Sequence, residues 1–374
     1  MGDGPEKARG REAMGRISGR MLDEPAVVPA PAGYLPPYVR AVIDEAARAE
    51  LRPLARARRP HDPATPVLIA VMRDEAPRLP GFLAHYRGLG VTRFAVVDNG
   101  SADATPTILA AEPDVDLWSV TRPFAGKQGW VNALIARHGY DRWYLHVDAD
   151  ERLVYAGAPA LGLADLLGFA EARGLRRLRG MLVDLYPPGP LLAPEPGEPL
   201  FDLTGYAETL CLERISRKGG PRRRAFGCTA EHRGSGSDAA GDGAIFDPEL
   251  TKYPLFHIRA GEVVSSPHHL HPYRENYRSD CFLALLHDKF GPGFVARAAR
   301  AAAERNYWGG SLEYRRTLAV LARDPGLVLA YPGSRRYRTP ADLVAAGLIA
   351  PLDDRPGLRR SVAGWSRRRA VAQA

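Results

Sequence analysis

The sequence predicts an α/β fold with a mostly parallel central sheet and helices on both of its faces. At 374 residues, of which 45% are hydrophobic and 25% charged, the chain is long enough to bury a substantial core. Between residues 65 and 147, apolar runs typical of buried strands alternate with stretches of helical periodicity. This alternation favours a parallel sheet, because each helix returns the chain to the start of the next strand.

The alternating region contains four apolar runs and three helical stretches. The apolar runs are 67–72, 94–97, 115–120 and 143–147, and the helical stretches are 79–89, 105–111 and 128–137. Pro60 and Pro63 precede them in a breaker-rich segment, so we place the start of the α/β region near residue 65. After about residue 155 the alternation gives way to Pro- and Gly-rich segments, and helical periodicity returns over 273–323.

The distribution of charge, the cysteine spacing and the lengths of the apolar runs indicate which kinds of protein the chain can be. The first sixty residues carry a net charge of +3 and residues 355–374 carry +6, which leaves −1 of the formal +8 for the rest of the chain. The cysteines Cys211, Cys228 and Cys281 lack the spacing of a zinc or redox site, which favours a reducing cytoplasm. The sequence has no apolar run of roughly 18–20 residues and no signal-like start, so we expect a protein that is neither membrane-integral nor secreted.

Polar residues follow three of the apolar runs, at the points where the predicted strands end. They are residues 73–75, 98–101 and 148–151. In parallel α/β sheets, ligands bind outside the carboxyl ends of the strands, because that edge is where the loops diverge. We therefore expect the functional residues in these three segments.

The most distinctive segment carries Asp148 and Asp150 directly after a strongly apolar strand. Two carboxylates at positions i and i+2 can face one divalent cation that also binds phosphate, and carboxylate oxygens suit Mg²⁺ or Mn²⁺. A single Asp-x-Asp is a weak signal, and Asp114 and Asp116 form a second copy. The two copies differ in position, since Asp148 and Asp150 follow the end of a strand whereas Asp114 and Asp116 flank the start of one.

A second segment ends a strand with Asp98, Asn99 and Gly100. An acidic side chain there can accept hydrogen bonds from a base or a ribose hydroxyl, and the glycine allows a tight turn. The alternative is a turn followed by a helix cap supplied by Ser101 or Asp103, and this explains the residues equally well.

These segments, taken in order, resemble glycosyltransferase family 2, in the bacterial branch whose first strand ends in Arg-Asn-Glu. The matching segments are 71–75, 85–90 (His-x-x-x-x-Gly), 97–101, 148–151, 250–255 (Lys-x-Pro-Leu), 267–270 (Pro-His-His-Leu) and 311–315 (around Glu-Tyr). The resemblance covers roughly residues 65 to 340. It departs from the family where Asp74 replaces the usual Asn, and where the acid-plus-Asp pair expected after the metal motif is not found.

The resemblance implies a GT-A-type nucleotide-binding sandwich with a loop-rich acceptor half and a helical C-terminal region. It implies a nucleotide-sugar site and a site for Mn²⁺ or Mg²⁺. The nucleotide-sugar residues would be Arg73, Glu75, Asp98, Asn99, Lys127, Gln128, Asn132 and Asp148, and the metal ligands Asp150, Asp148 and His268. Lys127 opens a predicted helix, where a cation and backbone amides can meet a diphosphate. The alternatives are a solvated helix start for Lys127 and a surface histidine for His268.

The function implied is that of a metal-dependent, hexosyltransferase-like enzyme that transfers a sugar, with inversion, to a glycan, lipid or small-molecule acceptor. The acceptor hydroxyl needs a base, usually a carboxylate. The candidate bases are Asp184, Glu213, Glu231 and Asp238, and an exposed or capping acid is the alternative for each. A nucleotidyltransferase is a rival, although residues 72–77 lack a Gly-rich phosphate loop. A nucleic-acid-binding protein is another, opposed by the nearly neutral middle of the chain.

We divide the chain into five parts. They are an N-terminal appendage (1–64, partly helical or disordered), a nucleotide-sugar-binding α/β half (65–155), an acceptor-side half (156–272), a helical region (273–340) and a basic tail (341–374). The arginines at 222–224 suit an anionic acceptor, with a solvated loop as the alternative. The six Arg of the tail suit peripheral contact with the inner face of the membrane in a cytoplasmic protein, with a bare solvated tail as the alternative.

Overall fold

The computed structural model describes residues 28–29, 34–193, 197–202, 207–211, 214–218, 220–226, 248–291, 293–305 and 307–352. Its strands, in chain order, are β1 (Arg52–Ala55), β2 (Val67–Met72), β3 (Phe94–Asp98), β4 (Val115–Ser119), β5 (Arg142–His146), β6 (Glu151–Tyr155), β7 (Arg177–Asp184), β8 (Leu200–Asp202), β9 (Ala207–Cys211), β10 (Arg214–Lys218), β11 (Thr251–Ile258), β12 (Val263–Val264), β13 (Leu270–His271), β14 (Cys281–His287) and β15 (Ser334–Arg336).

The helices, in chain order, are α1 (Pro37–Ala47), α2 (Leu79–Gly88), α3 (Thr105–Ala111), α4 (Lys127–His138), α5 (Leu163–Ala172), α6 (Gly220–Phe226), α7 (Phe294–Glu304), α8 (Trp308–Arg323) and α9 (Pro340–Ala345). Two 3₁₀ turns lie at Phe124–Gly126 and Tyr273–Arg278. The predicted alternation of strand and helix is confirmed over β2 to β5, and the α/β class with it.

A nine-stranded mixed sheet forms the centre of the protein, in the order β1-β4-β3-β2-β5-β11-β7-β14-β6. β4, β3, β2 and β5 pair in parallel, and so do β7 and β14. Because β11 is antiparallel to both β5 and β7, these six strands share one direction. The three reversed strands are β1, β6 and β11.

Helices cover both faces because the central strands are apolar on both sides. All six residues of β2 are buried, which is the pattern of a strand inside a two-sided sheet. Leu79 and Phe82 of α2 and Leu166 of α5 join the core on one face. Ala46 of α1 and Trp130 of α4 join the core on the other.

Strand direction decides which residues meet at the carboxyl edge of the sheet. The six strands of common direction end there, whereas the reversed strands β6 and β11 begin there. The edge therefore collects the last residues of β2, β5, β7 and β14 together with the first residues of β6 and β11. Residues that are distant in sequence become neighbours at one rim.

The described part of the predicted appendage belongs to the α/β body. β1 pairs with β4 and extends the sheet, and α1 packs on α4, so the boundary at residue 65 separates no independent unit. The boundary at 155 likewise divides a single sheet, since β6, β7, β11 and β14 continue it. These long-range pairings leave no signal in local periodicity.

Two further segments differ from the sequence prediction. Residues 281–287, within the region predicted to be helical, form the buried strand β14. The prediction was wrong here because an apolar run of that length is compatible with either a strand or a buried helix. The region predicted as a basic tail starts too early, since Leu343, Leu348 and Ile349 are buried in the core. Residues 353–374, with the six Arg of the tail, lie outside the described residues.

In the part of the chain that the structure describes, no helix combines the length and the apolar character needed to cross a bilayer.

Candidate functional site

A cavity of about 390 Å³ opens at the carboxyl edge of the central sheet. Its wall is densely charged. The charged residues that line it are Arg73, Asp74, Glu75, Arg78, Lys127, Asp148, Asp150, Glu151, Arg222, Glu249, Lys252, His287, Lys289, Arg297, Arg300, Glu304 and Glu313. Six of the predicted nucleotide-sugar and metal residues line this cavity together, and so does Arg222 of the predicted anion-binding arginines; the six are Arg73, Glu75, Lys127, Asp148, Asp150 and His268.

Asp148 follows β5 and meets two lysines. Nζ of Lys127, the first residue of α4, contacts Oδ1 of Asp148, and Nζ of Lys252 lies 3.4 Å from Oδ2. Lys252 also pairs with Glu151, the buried first residue of β6. Burial would raise the pKa of Asp148, but Lys127 and then Lys252 outweigh it and hold this pKa well below its ordinary value. Asp148 is therefore a carboxylate at neutral pH.

Asp150 is held by a histidine at the end of β14, the strand that pairs with β6. Nε2 of His287 lies 3.3 Å from Oδ2 of Asp150, and Nδ1 of the same ring lies 2.6 Å from Oδ1 of Asp184. Burial alone would lower the pKa of His287, but Asp150 and Asp184 raise it to about 9. Each ring nitrogen can therefore donate to a carboxylate, and the imidazolium fixes the direction of Asp150.

The same chain of ion pairs continues behind Asp184. Arg222 of α6 donates through Nε to Oδ2 of Asp184 at 2.7 Å, and its Nη1 lies 3.3 Å from Oε1 of Glu313. Lys289 pairs with that same Glu313 oxygen at 2.6 Å. Arg222, predicted as part of an anion-gripping cluster, thus forms two ion pairs at the cavity wall.

His268 lies at the cavity with a defined ring orientation. Its Nδ1 donates to the backbone carbonyl of Thr251 at 2.8 Å, because a carbonyl oxygen only accepts. Burial is the main cause that lowers the pKa of His268 to about 4, so the ring is neutral at physiological pH. The lone pair is consequently on Nε2. The neighbouring His269 pairs instead with Glu249 at 2.7 Å.

Helix α7 covers the turn that follows β2. Arg73 makes two hydrogen bonds to Glu304, at 2.9 and 3.1 Å, and Asp74 pairs with Arg300 at 2.6 Å. Asp74 has a positive φ of 55°, a conformation that Asp and Asn tolerate better than most residues. Asp74, which stands where the family that the sequence resembles has Asn, therefore allows the same turn and adds an ion pair with Arg300 of α7.

Four predicted nucleotide-sugar residues do not line the cavity among the described residues. Both carboxylate oxygens of Asp98 accept from Ser101, which is the turn that the sequence allowed as the alternative. The expected helix cap at Ser101 or Asp103 is wrong, since the N-cap residue of α3 is Ala104, which has no capping side chain. Asn99 donates to the carbonyls of Val120 and Arg122. Asn132 exchanges hydrogen bonds with the backbone of Val264 and ties α4 to β12, and Gln128 is buried in α4.

Of the four candidate bases, only Asp184 lies among the described residues. Its side chain is 1% exposed, and it accepts from Arg222 and His287. Burial would raise the pKa of Asp184, but Arg222 and then His287 outweigh it and hold this pKa well below its ordinary value. Such a carboxylate takes up protons poorly and has no access to an acceptor hydroxyl. Glu213, Glu231 and Asp238 lie outside the described residues.

The second Asp-x-Asp copy has a structural role. Asp116 is 1% exposed, pairs with Arg93 at 2.7 Å and accepts from the backbone of Ala57 at 3.0 Å. Asp114 pairs with Arg87. Both acids are engaged away from the cavity, as their position at a strand start predicts.

The donor set permits a metal ion that shares its coordination with a phosphate ligand. Across the described ranges, no three side chains of His, Cys, Asp or Glu come together as a metal-binding group, so the predicted set of Asp148, Asp150 and His268 is not assembled. Mg²⁺ sites that bind substrate phosphates use only one or two carboxylates. Asp150, with 26% of its side chain exposed, can supply one.

Several cavity residues were missed at the sequence level, namely Arg78, Glu249, His287, Lys289, Arg297, Arg300, Glu304 and Tyr307, while Lys252 and Glu313 were noted only within motifs. His287 and Lys289 follow the apolar run of β14, so the rule that polar residues at strand ends carry function would have found them if this run had been assigned as a strand.

Comparison of the chain with protein-family models gave no match, and neither did a search among curated proteins.

Proposed function

We propose that this protein is a glycosyltransferase of the GT-A type that uses a nucleotide-sugar donor and Mn²⁺ or Mg²⁺. The observation that carries the proposal is the meeting of Asp148, Asp150 and Lys127 in one cavity at the carboxyl edge of an α/β sheet. Carboxylates for a cation and an ammonium group for phosphate are the two features that a donor diphosphate requires. The ordered motifs that resemble family 2 point the same way.

Transfer breaks the bond between the sugar and the diphosphate through an oxocarbenium-like state, so negative charge grows on the leaving diphosphate. Asp150 would hold the metal ion, which when bound supplies charge neutralisation to that group. Lys127 adds a second positive charge from the start of α4, where the helix dipole also favours an anion. His287, held by Asp184, keeps Asp150 directed at the site.

The aromatic residues of the cavity suit a carbohydrate or a base beside these charges. The ring of Tyr307 lies 5.0 Å from that of Phe124 and 5.3 Å from that of Tyr314, measured between centroids. All three rings line the cavity. They add aromatic surface to the charged lining of the cavity, and this combination suits a polar ring compound.

Thermal unfolding with UDP, GDP, ADP and CDP, each with and without Mn²⁺, tests the proposal. A nucleoside diphosphate at a hundredfold excess over its Kd should add about 2.7 kcal/mol to the free energy of unfolding. The corresponding nucleotide sugars should then release nucleoside diphosphate when acceptors are screened. Absence of stabilisation by all four diphosphates refutes the proposal. Consumption of a nucleoside triphosphate with release of pyrophosphate would favour the rival nucleotidyltransferase.

A further inference from the structure

Lys252 lines the cavity and belongs to the Lys-x-Pro-Leu segment, but the family resemblance gives it no role. It is the second residue of β11, which runs antiparallel to β5 in a register that pairs Leu255 with Leu145. Lys252 lies three residues before Leu255, and its Nζ is 3.4 Å from Oδ2 of Asp148, just beyond the end of β5. Because β11 is reversed, its beginning lies at the carboxyl edge with the ends of the parallel strands, so the lysine reaches the cavity from the middle of the sheet.

Lys127 and Lys252 approach one carboxylate from different elements. Lys127 contacts Oδ1 of Asp148 from the start of a helix, and Lys252 contacts Oδ2 from a strand. Their side chains are only 8% and 9% exposed, whereas that of Asp148 is 30% exposed. Both ammonium groups are thus largely withdrawn from water and converge on a point that remains open to the cavity.

The two lysines face two carboxylates that differ in their exposure to the cavity. Glu151 is buried and pairs with Lys252, which satisfies one buried carboxylate with one cation. Asp148 is more exposed; Lys127 contacts it, and Lys252 is shared between it and Glu151. An ammonium group is a compact point charge that suits phosphate oxygens, and two of them match the two phosphates of a diphosphate.

We propose that Lys127 and Lys252 form a two-lysine diphosphate site, in which phosphate oxygens bind both ammonium groups where these residues line the cavity. The assignment of the natural ligand as the diphosphate of a donor rests on the proposed function. The site itself requires only a ligand with two linked phosphates. Lys252 is therefore a binding residue supplied by the reversed strand, in addition to Lys127.

Inorganic pyrophosphate is the probe, because it carries the two phosphates without a base or a sugar. Isothermal titration in EDTA compares pyrophosphate with orthophosphate for the unaltered protein and for Lys252→Met, Lys252→Arg and Lys289→Met. We expect pyrophosphate to bind more tightly than orthophosphate, and Lys252→Met to weaken pyrophosphate binding at least about tenfold, the usual loss for a charge-assisted contact. Lys252→Arg keeps the charge and should retain most of the affinity.

Lys289→Met is the matched control. Lys289 is also a cavity lysine with 9% exposure and a glutamate partner, but it pairs with Glu313 and not with Asp148. Its replacement should weaken pyrophosphate binding less than Lys252→Met does, because a cation without direct contact acts on the anion only through long-range attraction that salt screens. Lys252→Met leaves Glu151 without its cation, so the double variant Lys252→Met/Glu151→Gln supplies a folded alternative, verified by circular dichroism.

The results separate this inference from the proposed function. Equal pyrophosphate affinity in the unaltered protein and the folded Lys252 variants overturns the two-lysine site, as does an unaltered protein that binds pyrophosphate no better than orthophosphate. A tenfold loss of pyrophosphate affinity that is specific to the Lys252 variants would support the two-lysine site. If every nucleoside diphosphate then fails to stabilise the protein, the two-lysine site stands and the proposed glycosyltransferase function is refuted.

Discussion

Gly129, in the first turn of α4, lies where a side chain would strike α1. A Cβ added there would lie 2.5 Å from Cγ of Glu45 and 2.8 Å from the backbone nitrogen of Ala46. The second contact involves main chain, so a change of rotamer cannot relieve it. Gly129→Ala should therefore push α1 away from the helix that begins with Lys127.

Two opposing terms set the size of this effect. Alanine in place of glycine in a helix contributes up to about 1 kcal/mol of stability. Overpacking in a tight interface costs about 1–3 kcal/mol, and the contact with backbone places this site at the upper end. We expect a net loss of about 2 kcal/mol for Gly129→Ala. The same distortion should weaken binding of nucleoside diphosphates, since Lys127 lies two residues away.

Gly168→Ala is the matched control. Gly168 lies in the interior of α5, is exposed, and an added Cβ would meet no atom within 4 Å. This variant should be stabilised by up to about 1 kcal/mol, because only the helix propensity changes. Urea denaturation followed by circular dichroism measures both variants through their midpoints and slopes. If Gly129→Ala is as stable as Gly168→Ala, the packing of α1 on α4 is not as described.

Two other changes have defined outcomes. Mn²⁺ should increase the affinity for nucleoside diphosphates, and Asp150→Asn should reduce this gain at least about tenfold in isothermal titration. The control Asp288→Asn, at a surface pair with Arg152, should leave the gain intact. An equal gain in both variants would remove Asp150 from the metal site. Burial is the main cause that lowers the pKa of His138 to about 3, against 6.5 for a free histidine. Between these two pH values the unfolded chain binds more protons than the folded chain, so the free energy of unfolding falls as pH drops below 6.5. His138→Phe should remove up to about 2 kcal/mol of the loss between pH 6.5 and 5, as measured by urea denaturation at both pH values, and an unchanged loss would contradict the assignment.

The sequence alone determined the parts of this protein that depend on local patterns. The apolar runs of β2 to β5 and the helices between them follow from periodicity, because burial on both faces of a sheet requires continuous apolar residues. The position of Asp148 and Asp150 at an edge of the sheet follows for the same reason, since polar residues directly after a buried strand must lie there. The distinction between this pair and Asp116 also held, because it rested on position relative to a strand.

Local patterns could not decide the role of Asp98. A strand-end acid followed by Asn-Gly-Ser fits a ligand contact and a turn equally well, and the structure shows the bonds to Ser101. The pattern around residues 281–287 was equally ambiguous, because an apolar run carries no record of whether it pairs with neighbouring strands.

Only the tertiary structure decided which charges surround the two aspartates. Lys252 reaches Asp148 across 104 residues of sequence, and His287 reaches Asp150 because β14 pairs with β6 and β7. Strand order, direction and register result from many non-local contacts formed together, so no short segment encodes them. The sequence thus fixes which side chains stand at the ends of strands, and the fold decides which of those ends meet.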